Sequence, residues 1–405
     1  MELTFDIKQT KPIEFINELK FSDDLKIAYL SDSELPSKRA NSVHVMHMCN
    51  AFRELGHEVT LFGLKGDHAT FEEIMSWYGV SGFDVELTSL RIPKLTLWIH
   101  AKNMLRAVKK MQPDLIFGRS LFGCYLLAKN GYQVCLETHD PINTLTKQQV
   151  KIFNWLLKSP NLIGLVVISQ ALKKIILSQT TRITEDRILV AHDGATLEKN
   201  NIEALESYAW PTLVDGRLQI GYVGTISKGR GIELIISLAE KFEGLDFHII
   251  GGTKEDLLGI GLQEVGELRN VFFHGFVSPK EAALARKKCD ILLAPYQEDV
   301  LLRSGKNTAK YMSPLKVFEY MEAGKAIIAS NLPVLREVLV DMENSVLCRP
   351  ELTSEWEEAL ENFTNDDSLR LRIGSNAYQS LIENYTWKKR AELILAFVNQ
   401  QLEKQ

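Results

Sequence analysis

Lys26-Ile27-Ala28-Tyr29-Leu30 is a short apolar run. Val45, Met48, Cys49, Phe52 and Leu55 follow at helical spacing, and Glu58-Val59-Thr60-Leu61-Phe62 is a second apolar run. Strand, helix and strand within about forty residues form a βαβ unit. Gly56, just past Leu55, supplies the left-handed residue that closes a helix.

The same grammar recurs downstream. Apolar strands are expected at 114–117, 133–136, 162–168 and 188–191, with a helix over Leu121–Lys129 and another capped by Ser169. A polar stretch at 195–216, with Asn200-Asn201, Pro211 and Asp215-Gly216, interrupts the pattern. It then restarts, with strands at 218–223, 247–250, 271–274, 290–294 and 326–330. Helices are expected from Ile232, from Ser278-Pro279-Lys280-Glu281 and over Leu315–Glu322. The second of these starts with Ser as N-cap, Pro at N1 and Glu at N3. Repeated βα units with short apolar strands imply parallel sheets covered by helices. The fold class is therefore α/β, with two Rossmann-like, doubly wound domains facing a central cleft. The expected division is an extension at 1–24, a first domain at 25–205, a second at 206–380 and a C-terminal helix at 381–405 that crosses back to the first. Ligands in such sheets bind beyond the carboxyl ends of the strands.

Composition narrows the function classes. The 405 residues are 45% hydrophobic and 24% charged, enough apolar material for real cores. Net charge is −5, which disfavours a nucleic-acid binder. Residues 1–206 balance to neutrality, so the acidic excess lies in the second half, and an anion site there must be a local basic cluster. Five scattered cysteines without a C-x-x-C read as reduced thiols of a cytoplasmic protein. Neither a signal peptide nor a run of about 18 apolar residues is visible, which leaves peripheral membrane contact as the expected membrane relation.

Several strand ends carry candidate chemistry. Gly221–Gly231 holds glycines after a strand, with Lys228 and Arg230 where a diphosphate would lie, although such turns also serve as plain connectors. Arg303, Lys306, Lys310 and Lys316 form a basic run without an acidic residue, leading into a helix. A solvated basic loop is the bland alternative. Glu319, one turn later, can accept hydrogen bonds from ribose hydroxyls or pair with a neighbouring lysine. Glu137-Thr138-His139-Asp140 ends a first-half strand, and His139 can serve as a base or bind a sugar hydroxyl. Arg39, Asn41, Ser42 and His44 precede or open the first helix, with Ser42 as its expected N-cap and the others facing the cleft. His44 and His47 are spaced as a metal pair, but no third ligand is evident in the sequence, so no metal is expected.

Ser313-Pro314-Leu315-Lys316-Val317-Phe318-Glu319-Tyr320-Met321-Glu322-Ala323-Gly324 and the strand after it resemble the donor-site motif of retaining glycosyltransferases of family 4, the group 1 type with the GT-B fold. Asn331–Glu337, Gly224–Gly231, His274-Gly275-Phe276 and Leu55–Val59 support the resemblance, which covers about residues 25–400. It implies transfer of a sugar from a nucleotide-diphosphate donor to a glycan or lipid-linked acceptor, without a cofactor or bound metal. Arg230 and Lys316 would hold the diphosphate, Glu319 the ribose, and His139 would lie near the donor sugar. Gly224, Thr225, Gly275, Phe276, Ser313, Leu315 and Val317 would line the donor site, and the Arg39–His44 loop would approach diphosphate and acceptor. The chain departs from the pattern at Tyr311, where the family has the first Glu of its motif, at Thr225, where a basic residue is usual, and at Ala40-Asn41, usually a glycine pair. A nucleotide-sugar epimerase on the same fold and a non-catalytic nucleotide-sugar-binding subunit are the alternatives. A dinucleotide oxidoreductase is disfavoured because neither half shows G-x-G-x-x-G after its first strand.

Overall fold

The computed structural model describes residues 24–404, apart from 38, 67–69, 198–201, 213, 215, 263–267 and 302–304. The expected extension at 1–24 thus lies almost wholly outside the described residues, as does Arg303.

Seven parallel strands form the first sheet: β1 (Lys26–Leu35), β2 (Glu58–Lys65), β3 (Asp84–Thr88), β4 (Leu115–Gly118), β5 (Val134–Thr138), β6 (Leu162–Val167) and β7 (Ile188–Val190). Their order is β3-β2-β1-β4-β5-β6-β7. Helices α1 (Ala40–Glu54), α2 (Phe71–Tyr78), α3 (Thr96–Met111), α4 (Leu121–Lys129), α5 (Lys147–Lys158) and α6 (Gln170–Gln179) alternate with the strands. After α7 (Ile202–Ser207), the second sheet comprises β8 (Gln219–Val223), β9 (Asp246–Ile250), β10 (Val271–Gly275), β11 (Ile291–Ala294), β12 (Ala326–Ser330) and β13 (Val346–Cys348). Their order is β10-β9-β8-β11-β12-β13. Its helices are α8 (Ile232–Lys241), α9 (Lys254–Gly259), α10 (Pro279–Lys288), α11 (Leu315–Ala323), α12 (Thr353–Asn365) and α13 (Asp367–Asn384). The two Rossmann-like α/β domains read from the sequence are thus present.

Local chemistry explains the elements. Every residue of β6 is buried, as a central parallel strand requires. Ser169 caps α6 by accepting from the backbone N–H of Leu172, and Ser278 forms a reciprocal capping box with Glu281 ahead of Pro279. The last helix, α14 (Trp387–Glu403), packs on the first domain, where Trp387, Ala391, Ile394, Leu395 and Val398 join the core beneath α1. Gly164 makes this docking possible, because a Cβ there would stand 2.6 Å from the Phe397 ring.

Each sheet reverses direction of winding beside its first strand, between β1 and β4 and between β8 and β11. These two switch points face the same cleft. Among the described residues, no helix is long and apolar enough to cross a membrane.

Candidate active site

The cleft between the domains has a volume of about 1080 Å³. Its second-domain wall is built from the loop after β8 and the start of α11. Gly224 has φ 155°, and a Cβ on it would lie 2.9 Å from both Cε and Nζ of Lys316. The missing side chain is therefore what lets the ammonium in. Lys316 is only 6% exposed. Its Nζ stands 3.6 Å from the centroid of the Tyr222 ring and 5.1 Å from that of Tyr296, without a hydrogen-bond partner. Burial, reinforced by the nearby Arg230, pushes this ammonium well below the usual lysine range. Arg230 donates to the Tyr296 hydroxyl at 3.3 Å. Two basic side chains thus share an aromatic-walled pocket, and neither forms an ion pair with a described residue. Buried charge without a counter-ion is costly, so the arrangement is suited to an incoming anion.

The first-domain wall centres on Glu137, fully shielded at the end of β5. One of its oxygens, Oε1, lies 2.5 Å from His139 Nε2, 2.9 Å from His44 Nε2 and 3.1 Å from Arg390 Nη2. His44 Nδ1 in turn lies 2.9 Å from Asp193 Oδ1. Arg390 arrives on α14 and also donates through Nε to the His192 carbonyl at 3.0 Å. Burial works against the Glu137 carboxylate, but Arg390, His44 and His139 outweigh it and hold the carboxyl well below its usual range. His139 lines the cleft, and burial, with Arg119 second, lowers it to about 4. It is therefore a neutral imidazole near pH 7, oriented from behind by Glu137.

His44, Glu137 and His139 also bring three donor atoms within 4.8 Å of one another. The sequence offered no third ligand for His44, and the fold supplies two. The guanidinium of Arg390, however, already serves as the cation of this cluster. His47, the other half of the expected pair, turns away to Thr196 at 3.0 Å and stacks on Trp387.

Most of the residues singled out in the sequence meet here. Asn41, His44, His139, Gly224, Thr225, Arg230, Phe276, Ser313, Leu315, Lys316 and Glu319 all line the cleft. Glu319 pairs with Arg286 at 3.4 Å rather than with a lysine. Phe276 lies nearly parallel to Trp77 of the first domain, with ring centroids 6.4 Å apart.

Other expectations need correction. Ser42 is not the N-cap of α1. The helix begins at Ala40, so Ser42 falls in its first turn and donates to the Glu34 carbonyl at 3.0 Å. Arg39 occupies the cap position without a side-chain cap bond and is exposed, and it is not among the residues that line the cleft. Val317 is 1% exposed within the second-domain core, because consecutive helical residues point about 100° apart and Lys316 takes the cleft direction. Gly275 is the last residue of β10, and its carbonyl accepts from the Gly251 N–H at 2.7 Å. Among the described residues of the basic run, Lys306 pairs with Asp140 across the cleft, Lys310 is exposed, and only Lys316 lines the pocket. Lys228 is also exposed.

The domains also touch through directed polar contacts. Glu337 accepts from the backbone N–H groups of Gln170 and Ala171 at 2.7 and 2.8 Å, at the start of α6. Ser169 donates to the Tyr311 carbonyl at 2.9 Å, and the Asp193 N–H donates to Ser313 Oγ at 3.0 Å. The Tyr311 ring is buried among first-domain core residues. The sequence reading missed Arg119, Asp193 and Arg390, since isolated residues in strand-end loops or on a helix carry no spacing pattern.

The glycosyl transferases group 1 family model matches residues 209–380, and the Glycosyltransferase Family 4 model matches residues 42–199. An uncharacterized glycosyltransferase of Methanocaldococcus jannaschii is 26% identical over 230 residues, which are 55% of this chain and 55% of that protein. A poly(ribitol-phosphate) alpha-N-acetylglucosaminyltransferase of Staphylococcus aureus is 22% identical over 186 residues, 44% of this chain and 35% of that protein. The matched part thus spans about half the length of the first relative and about a third of the second. Among solved structures, HepE of Anabaena in complex with UDP and glucose shares the fold with a TM-score of 0.67 at 15% identity, over 94% of this chain and 98% of that one.

Proposed function

We infer that this chain, which belongs to the family 4 glycosyltransferases with a group 1 second domain, transfers a sugar from a nucleoside-diphosphate sugar to a glycan or lipid-linked acceptor with retention of configuration. The observation that carries the reading is the pair of unneutralised cations, Arg230 and Lys316, in the interdomain cleft beside Gly224. They face the developing negative charge of the departing diphosphate, which is the largest electrostatic demand of the reaction. Glu319 takes the ribose hydroxyls, and Phe276 lies beside the base. His139 meets the donor sugar as a neutral imidazole. The anomeric carbon–phosphate oxygen bond breaks while the acceptor oxygen bonds the same face of that carbon. The acceptor proton passes to the leaving phosphate.

The HepE structure contains UDP, which makes UDP the first nucleotide to test. The Staphylococcus relative acts on a poly(ribitol-phosphate), in keeping with a role in surface polysaccharide or glycoconjugate assembly. A peripheral membrane position fits a lipid-linked acceptor. It is supported by exposed Leu90, Ile92 and Leu95 beside Arg91 and Lys94.

Lys316→Ala and Arg230→Ala are each expected to lower turnover of a nucleotide sugar about 100-fold or more. Near-normal turnover in both variants removes the site assignment.

A further inference from the structure

Arg119 follows β4 directly, at the switch point where β1 and β4 part. Its backbone N–H donates to the Leu30 carbonyl at 2.7 Å, so its place on the first-domain wall is fixed. The side chain lines the cleft together with His139. It forms no hydrogen bond and no ion pair with a described residue, and its Nη1 is sealed from solvent without a partner. A half-buried guanidinium with no carboxylate against it is an open anion site. The carboxylate that feels its charge, Asp32, is out of ion-pair reach. Burial pushes Asp32 up to about 6, and a hydrogen bond with Ser120 and, after it, the charge of Arg119 offset this only in part. The cation acting on Lys316 is Arg230, whereas Arg119 acts on His139. The cleft therefore holds two separate positive centres, one on each domain.

We propose that Arg119 binds an anionic group, a phosphate or a carboxylate, carried by the acceptor beside the reacting hydroxyl. This rests on the glycosyltransferase reading, which gives Arg230 and Lys316 to the donor diphosphate and leaves Arg119, on the first-domain wall with His139, outside the diphosphate contacts. Arg rather than Lys suits the task, because its planar fork grips both oxygens of such a group.

Isothermal calorimetry on the full chain tests the assignment. UDP is titrated into wild type, Arg119→Gln, Arg119→Lys and Lys316→Gln. Inorganic phosphate and, separately, acetate are then titrated into the UDP-saturated proteins, which distinguishes phosphate from carboxylate recognition. Arg119→Gln is expected to bind UDP within about twofold of wild type but to lose about tenfold or more in affinity for one of the two anions, while Arg119→Lys, which keeps the charge without the fork, loses less. A tenfold loss of UDP affinity in Arg119→Gln would place this residue on the donor and overturn the proposal. So would unchanged anion binding in that variant, or no saturable anion binding to wild type. If UDP binds none of the proteins, the donor reading fails by itself. Phosphate and acetate titrated into nucleotide-free Lys316→Gln and its Arg119→Gln double variant then still read Arg119 alone.

Discussion

Lys316 shows how a single residue can be legible in sequence and yet acquire its chemistry only in the fold. Its place at the end of a basic run, in the first turn of α11, marked it as part of an anion site, and the family resemblance as a diphosphate ligand. Its setting over Tyr222, beside Arg230 and against the bare Cα of Gly224, was not readable, because those neighbours lie 86 or more positions upstream. That setting has a pH consequence. Burial lowers the ammonium pKa in the free protein, while a bound diphosphate favours the charged form and raises it again. Between the two values, binding must take up a proton, so nucleotide affinity falls as pH rises through the lowered pKa. Calorimetry of UDP binding across a pH series, in buffers of different ionisation heat, should show binding that weakens as pH rises, with net proton uptake above the lowered pKa. Lys316→Arg, whose side chain stays charged, should flatten the profile. An equally steep profile in that variant would assign the proton elsewhere. Arg119 and Asp193 were invisible for a related reason: each is one polar residue after a strand, and only the convergence of strand ends gives it a role.

Elements with a strong period or a cap were read well. α6 and α10 start at the serines expected to cap them, and β12 occupies Ala326–Ser330 as read. Weakly patterned elements were not. β3 is a five-residue edge strand that alternates between exposed and partly buried residues before ending on buried Thr88, and β13 has only three residues. Helix α14 was read from its apolar period, but Arg390 on it meets Glu137, 253 positions earlier, and no local pattern encodes that pairing. The consequence lies in the docking of the element. Arg390 is 3% exposed and Glu137 1%. Arg390→Ala would leave a buried carboxylate without its cation, at a cost of about 3–5 kcal/mol. Chemical denaturation should show that loss, and kcat should fall as Glu137, the partner of His139, loses the cation that holds it. Arg390→Lys should recover part of the stability. Wild-type stability in Arg390→Ala would mean that α14 is held by its apolar face alone.

For the whole molecule, two parallel sheets bring their switch points to one cleft, and polar contacts such as Glu337 on α6 set the domains against each other. The rim of that cleft continues onto a distinctive surface. From residue 87 to residue 113 the chain has no acidic residue, while Arg91, Lys94, Lys102, Arg106, Lys109 and Lys110 are basic. Leu90, Ile92 and Leu95 are 56, 40 and 51% exposed within the same loop. Arg91 ties the loop to Glu34 at 2.6 Å and to the Lys65 carbonyl, at the carboxyl ends of β1 and β2 and therefore on the cleft side of the sheet. An apolar tip among cations is what an anionic bilayer attracts, with each basic residue near the surface worth about 1 kcal/mol. A surface so placed would present a lipid-linked acceptor to the cleft without lifting it far from the membrane. The protein should therefore sediment with vesicles rich in phosphatidylglycerol and much less with phosphatidylcholine alone, and added salt should release it. The triple variant Leu90→Ser, Ile92→Ser, Leu95→Ser should bind the anionic vesicles about tenfold more weakly. Its melting temperature and UDP affinity should stay near wild type, because these side chains are already in water. Unchanged vesicle binding in the triple variant would move the contact to another face, and failure of wild type to bind would leave the rim an ordinary solvated surface.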